Sequence, residues 1–248
     1  MKKFTPFPFL LLFLWPGSSA WSQDCSKYLF LQQGKTIEVT SYNKKGEPNG
    51  RNVYTVSNVG NSGGTTTGTL SSQMFDKKER PTNTSTSTVK CTGGLIQMDM
   101  KFMLPDGPAG KMSSAQVSGS GGILEYPPGM KAGDTLKSGY IVLTNNNNGP
   151  GGPGGPPGPP PPPNPFSSGG GTLTMWIYNR QVVGQESVTT SAGTWDCIKI
   201  TYKSKVNYKS GPFPAPNINI DVTEWYAPGV GIIKTQTDRG STAITSIK

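Results

Sequence analysis

Histidine is absent from the 248 residues of the chain. That one absence removes Ser-His-Asp triads, histidine metal sites and histidine general bases together. Charged residues are scarce, at 15%, and hydrophobic residues reach only 33%. The first figure excludes a charge-swollen disordered chain and the second a membrane bundle of helices. Long apolar runs are missing too: Phe9-Leu10-Leu11-Leu12-Phe13-Leu14-Trp15 is the clearest, and it is far too short to cross a bilayer as a helix.

That run sits between Lys2-Lys3 and the small, polar Ser18-Ser19-Ala20, the three parts of an export signal. Residues 1–23 are therefore read as a signal peptide, with cleavage after Ala20 or after Gln23. Cys25 follows Ser22-Gln23-Asp24, whereas a lipid-anchor signal wants an aliphatic residue and then small ones before the cysteine. The expectation is an exported protein, periplasmic or extracellular, without a transmembrane segment. Loss of Lys2 and Lys3 lowers the net charge from +9 to +7. The lysines are scattered through turns such as Lys44-Lys45 and Lys77-Lys78, as solvated hairpin tips are, so nucleic acid is not expected as a partner.

Only three cysteines are present, Cys25, Cys91 and Cys197. An oxidising compartment allows one disulfide and one free thiol, and all three pairings are open. Cys25 with Cys91 is the first choice, because Cys197 lies in an apolar strand pattern that suits a buried thiol. With no histidine to serve as its base, Cys197 is not expected to be a nucleophile.

What the chain does have is period two. Thr36-Ile37-Glu38-Val39-Thr40, Asn52-Val53-Tyr54-Thr55-Val56-Ser57 and Ile96-Gln97-Met98-Asp99-Met100-Lys101-Phe102 alternate apolar and polar side chains. Such strands keep one dry and one wet face, as in an antiparallel sheet. Further strands are read at 84–91, 172–178, 194–205, 218–226, 231–237 and 242–247, and no long helical stripe appears. Three stretches share a hairpin logic: Tyr42 to Gly50, which contains Asn49-Gly50, Phe75 to Pro81, and Thr237 to Gly240. The fold class is thus mainly β, with residues 24–248 as one domain. Residues 145–171, which hold ten of the 23 prolines, are read as an inserted loop between two strands. Its three-residue glycine period, at 149, 152, 155 and 158, stops too soon for a collagen helix.

Candidates for chemistry are few. Gly63-Gly64-Thr65 and Gly119-Ser120-Gly121-Gly122 are not followed by a Lys-Ser or Lys-Thr pair or by a helix, which excludes phosphate-cradling loops. No catalytic residue, metal site or cofactor is assigned. Asp99 and Glu125 fall on strand patterns and give the weakest reading, a carboxylate-dependent hydrolase. The aromatic residues Trp176, Tyr178, Trp195, Tyr202, Trp225 and Tyr226 say more. On a curved sheet some of them, with Met98, Met100 and Met103, line a concave apolar surface.

Four segments carry a family resemblance: Asp24-Cys25-Ser26-Lys27-Tyr28; Asn179 to Thr190; Gly193-Thr194-Trp195-Asp196-Cys197-Ile198-Lys199-Ile200-Thr201-Tyr202; and Glu224-Trp225-Tyr226-Ala227-Pro228-Gly229-Val230-Gly231-Ile232-Ile233-Lys234. In this order they resemble the TapB-like exported bacterial proteins, a family with a domain of unknown function. The resemblance implies a strongly curved antiparallel sheet, similar to the half-barrel of lipoprotein carriers, with an apolar concave side. It also implies a helix over 105–115, which Pro105, Gly107, Pro108 and Gly110 of this chain oppose. The expected function is non-enzymatic binding of an apolar ligand or an envelope protein on the concave face, with Trp195, Trp225, Met98 and Met100 facing it. A structural role in an envelope complex, with the insertion as a tether, is the alternative.

Overall fold

Strands follow where β-branched and hydroxyl residues alternate, because extended backbone gives their side chains room on a pleated surface. A computed structural model describes residues 24–103, 116–118, 122–145, 171–210 and 217–248. The signal-peptide reading over 1–23, the opposed helix over 105–115 and all but the ends of the 145–171 insertion lie outside the described residues. In the first part of the chain run β1 (Thr36–Asn43), β2 (Pro48–Ser62), β3 (Thr65–Asp76), β4 (Pro81–Thr92), β5 (Leu95–Asp99), β6 (Gln116–Ser118) and β7 (Ile123–Tyr126). The second part holds β8 (Thr135–Leu136), β9 (Gly139–Asn145), β10 (Gly171–Thr190), β11 (Gly193–Ser210), β12 (Ile218–Ala227), β13 (Gly231–Thr237) and β14 (Gly240–Ile247). Among the described residues there are three short 3-10 turns and no α-helix.

All fourteen strands join one antiparallel sheet in the order β6-β9-β10-β11-β12-β13-β14-β1-β2-β3-β4-β5-β7, with β8 pairing β10. Two meanders, β1 to β5 followed by β7, and β9 to β14 with β6 on the outer side of β9, are sewn together by β1 against β14 (Ile37 opposite Ile247). The sheet curls until it is nearly closed into a barrel, further than the expected half-barrel. Its two edges are bridged by Arg180, whose Nη1 donates to Glu125 O on β7 and to Lys137 O just after β8, each at 3.1 Å. Lys137 Nζ and Glu125 Oε1 pair at 3.1 Å beside it.

Arg180 faces inward because of a bulge. Pairing of β10 with β11 shifts register between Tyr178 and Gln181, and Asn179 adopts φ 54°. Asparagine tolerates this left-handed backbone better than most residues, and the extra residue reverses the alternation. Leu173, Met175 and Ile177 point inward before the bulge; Arg180 and Val182 do so after it.

The three hairpins that share a sequence logic also share a mechanism. Asn43 Oδ1 accepts from the backbone N–H of Lys45 and Glu47, and Asp76 Oδ1 from those of Lys78 and Arg80. Thr237 Oγ1 accepts from Arg239 N–H. Each short side chain replaces a missing ladder partner at the turn. The Asn49-Gly50 pair is not itself the turn. It lies in β2, where Gly50 allows the close approach of β3: a Cβ there would stand 2.7 Å from Phe75 O.

One end of the barrel is filled by the start of the domain. Cys25, bonded to Cys91, begins two 3-10 turns, and Tyr28, Leu29, Phe30 and Leu31 are all buried. Phe30 meets Tyr54 and Phe102 edge to face, at 6.3 and 5.4 Å between centroids, and Tyr54 stacks on Phe102 at 4.6 Å. Room for this plug comes from Gly68 and Gly231, where a Cβ would fall 3.0 Å from Leu31 Cδ2 and 2.8 Å from Phe30 Cε2. The core above it consists of inward Ile, Leu, Val, Met and Tyr side chains from nearly every strand.

Candidate functional site

Towards the end opposite the plug the barrel is not completely filled. A cavity of about 310 Å³ opens at the end that carries the β1–β2, β3–β4 and β13–β14 turns. Its walls are the inward positions of successive strands: Val39 of β1, Tyr54 of β2, Met74 of β3, Met175 and Ile177 of β10, Tyr202 and Val206 of β11, Ile220 and Val222 of β12. Phe102 and Met103, on the 3-10 turn Met100–Met103, complete its apolar side. Hydroxyl and amide groups ring the mouth: Ser41, Asn49, Thr237, Ser241 and Thr242. Such a site, mostly apolar with a few placed polar groups, is how small-molecule pockets are built.

Asn52 stands in the wall, and its Nδ2 donates to the Tyr54 hydroxyl at 2.8 Å. Its Oδ1 is buried without a hydrogen-bond partner. An amide in that position favours an occupant that carries a hydrogen-bonding group as well as apolar surface.

A buried polar cluster adjoins the cavity through Tyr202, whose hydroxyl donates to Glu224 Oε2 at 3.2 Å. Glu224 and Arg180 are both fully buried. Arg180 lies over the Tyr126 ring at 4.8 Å, and Tyr126 stacks on Tyr226 at 4.5 Å with planes 7° apart. Burial raises the Glu224 carboxyl above the usual range, while the charge of Arg180 and the Tyr126 and Tyr202 hydroxyls draw it down. Burial likewise holds the Tyr28, Tyr126 and Tyr202 phenols in the neutral form. Arg180 Nε and Nη2 have no hydrogen-bond partner.

None of the four residues expected to face a ligand lines the cavity. Met98 and Met100 are fully buried in solid core. Trp225 sits on the convex face, since Glu224 and Tyr226 on either side of it point inward. Its cross-strand neighbours are Lys199 and Lys234, whose ammonium groups lie 5.4 and 5.0 Å from its ring centre, and its Nε1 donates to Glu186. Trp195 has the same parity on β11 as Lys199 and is likewise convex, with its ring beside Gly193. Of the wider set, Tyr202 and Met103 do line the cavity, whereas Trp176 pairs with Lys205 on the outside. Even positions on β11 and β12, from Ile200 to Val206 and from Ile218 to Tyr226, carry the inward set. That signal was available in the sequence.

The remaining candidates do not assemble into reactive groups. Asp99 accepts from Lys101 N–H, and Glu125 is held by Lys137 and Gln97. Cys197 is buried, and burial pushes its thiol up to about 12. Among the described residues, no group of three or more metal-ligating side chains gathers, and no helix is long and apolar enough to cross a membrane.

A family model described as DUF3108-like matches residues 32–148 and 168–246. It, rather than the TapB-like name, is the family that comparison returns. The fold is shared with a Bacteroides fragilis NCTC 9343 protein described as exported and of YmcC-like fold. That match has TM-score 0.67 and 21% identity, and covers 88% of this chain and 96% of the other. A protein from Parabacteroides distasonis ATCC 8503, described as a lipoprotein, matches with TM-score 0.68 and 20% identity over 91% of this chain and 100% of its own. The chain matches none of the curated proteins.

Proposed function

From a chain that belongs to the DUF3108-like family, we propose an exported, non-enzymatic carrier that holds an apolar molecule in the mouth of its barrel. The observation behind this reading is the cavity of about 310 Å³, walled by aliphatic, aromatic and methionine side chains that close packing alone would bring together. Export is supported by the signal-like start of the sequence, by the Cys25–Cys91 disulfide and by the descriptions of the two similar structures. The buried acceptor on Asn52 adds a polar contact for the occupant.

Native mass spectrometry of the purified protein, before and after organic extraction, tests the reading. An extractable bound species is expected in the wild type and not in Ile220→Trp, which fills the mouth. Absence of any bound species, together with no uptake of an apolar fluorescent probe by the extracted protein, would sink it.

A second reading, a component of an envelope assembly, is favoured by one feature of the convex face. A shallow depression of about 420 Å³ is lined there by Ser138, Tyr140, Trp176, Tyr178 and Lys205, the mix of aromatic and basic groups typical of protein contacts. Pulldown with and without residues 145–171, which join β9 to β10, tests it. The same partners in both would remove the insertion as a tether.

A further inference from the structure

Charge is distributed unevenly around the cavity. Among the described residues that line it there is no carboxylate and no lysine, and Arg239 is the charged one. Arg239 sits on the β13–β14 turn at the mouth, next to Thr237, Ser241 and Thr242, so its guanidinium reaches the rim rather than the apolar depth. Its nearest opposite charge, Asp238, is 4.0 Å away and 69% exposed, a loose surface pair that a bound anion displaces at little cost. The turn itself is fixed by Thr237 Oγ1, which accepts from Arg239 N–H, and by Thr237 Oγ1 donating to Gly240 O.

We infer that the ligand is a single-chain amphiphile with an anionic head, its chain in the barrel and its carboxylate or phosphate on Arg239. This rests on the cavity being a ligand site. An arginine fork matches the planar carboxylate and the phosphate oxygens equally well, whereas a neutral head leaves it in water. The apolar walls set a preference for an unbranched chain over a polar or bulky body.

Decanoate, decyl phosphate and decanol, titrated calorimetrically into extracted protein at pH 8, separate the two claims. Decanol reports the cavity alone. Both anions are expected to bind about fivefold more tightly than decanol, the modest factor reflecting the exposure of Arg239, and 0.5 M salt should erase the difference. Arg239→Gln should bring the affinity of both anions down to that of decanol; its side chain is 56% exposed on the β13–β14 turn. If decanol binds as tightly as the anions, or the variant keeps the preference, the inference fails and the cavity reading stands. If none of the three binds the wild type, both fall. Of the two anions, the tighter one identifies whether carboxylate or phosphate is the native head.

Discussion

Arg180→Met removes the group that bridges the barrel's edges. Met fills the same length of core but leaves Glu125 O and Lys137 O without their donor, and leaves Glu224 buried with no positive charge nearby. Breaking a buried ionic arrangement from one side costs about 3–5 kcal/mol. In a domain of this size that lowers Tm by roughly 10 °C. The loss has a pH signature. A carboxyl whose pKa is raised by burial contributes most to stability below its unfolded value, 4.5, and loses that contribution as pH rises towards the folded value. Without Arg180 the folded value rises further, so the destabilisation should be larger at pH 7.5 than at pH 4.5. Urea unfolding followed by circular dichroism at both pH values measures it. The double variant Arg180→Met/Glu224→Leu should recover most of the loss, because an apolar pair pays no desolvation. A loss below about 1 kcal/mol at pH 7.5, or one independent of pH, would refute the reasoning that the cluster is an ionic clasp.

Gly231→Ala should destabilise by about 2–3 kcal/mol, since φ is 126° there and the new Cβ would stand 2.8 Å from Phe30 Cε2 and 2.9 Å from the Tyr28 hydroxyl; thermal melts check it, and a loss of a few tenths would mean the plug yields easily. Removing the disulfide by Cys25→Ser/Cys91→Ser opens a link across 66 residues and should cost about 4 kcal/mol by loop entropy. Fluorescence-monitored denaturation reads this directly, and an unchanged midpoint would contradict it. Cys197 should resist iodoacetamide at pH 8 in the folded protein and react fully in denaturant, because its thiol is buried and its pKa is pushed up to about 12. Rapid modification of the native form would show that the structure around this residue opens readily.

Much of the sheet is legible from alternation. The strands read at 36–40, 52–57, 84–91, 172–178, 194–205, 218–226, 231–237 and 242–247 all fall inside observed strands. The alternation over 96–102 holds only to Asp99, after which the chain turns into a 3-10 segment. β3, Thr65–Asp76, escaped because its inward positions include Gly68 and Ser72, small residues that make room for Leu31 or pair with Ser85 rather than build an apolar stripe. The site was harder. Trp195 and Trp225 are large and aromatic, as pocket linings often are, whereas parity with Lys199, Lys203 and Lys205 places them on the convex side of the sheet, where Trp225 is nonetheless buried. Arg180 was invisible to periodicity, because one asparagine with positive φ reverses which residues of β10 point inward. The buried Tyr28-Leu29-Phe30-Leu31 plug carried no period of either kind.

The order of strands around the barrel has a kinetic consequence. Every neighbour within each meander is close in sequence, but Ile37 must find Ile247, 210 residues away, before the halves become one sheet. Pairing at such separation carries the largest loop-closure cost and is the slow kind of contact. The meanders are therefore poised to form early as two open sheets with exposed edges, and the last eight-residue strand completes the molecule. Joining Lys248 to Asp24 by a linker and opening the chain between β7 and β8 would make sequence order follow sheet order almost throughout. Such a permutant would keep the barrel and fold faster.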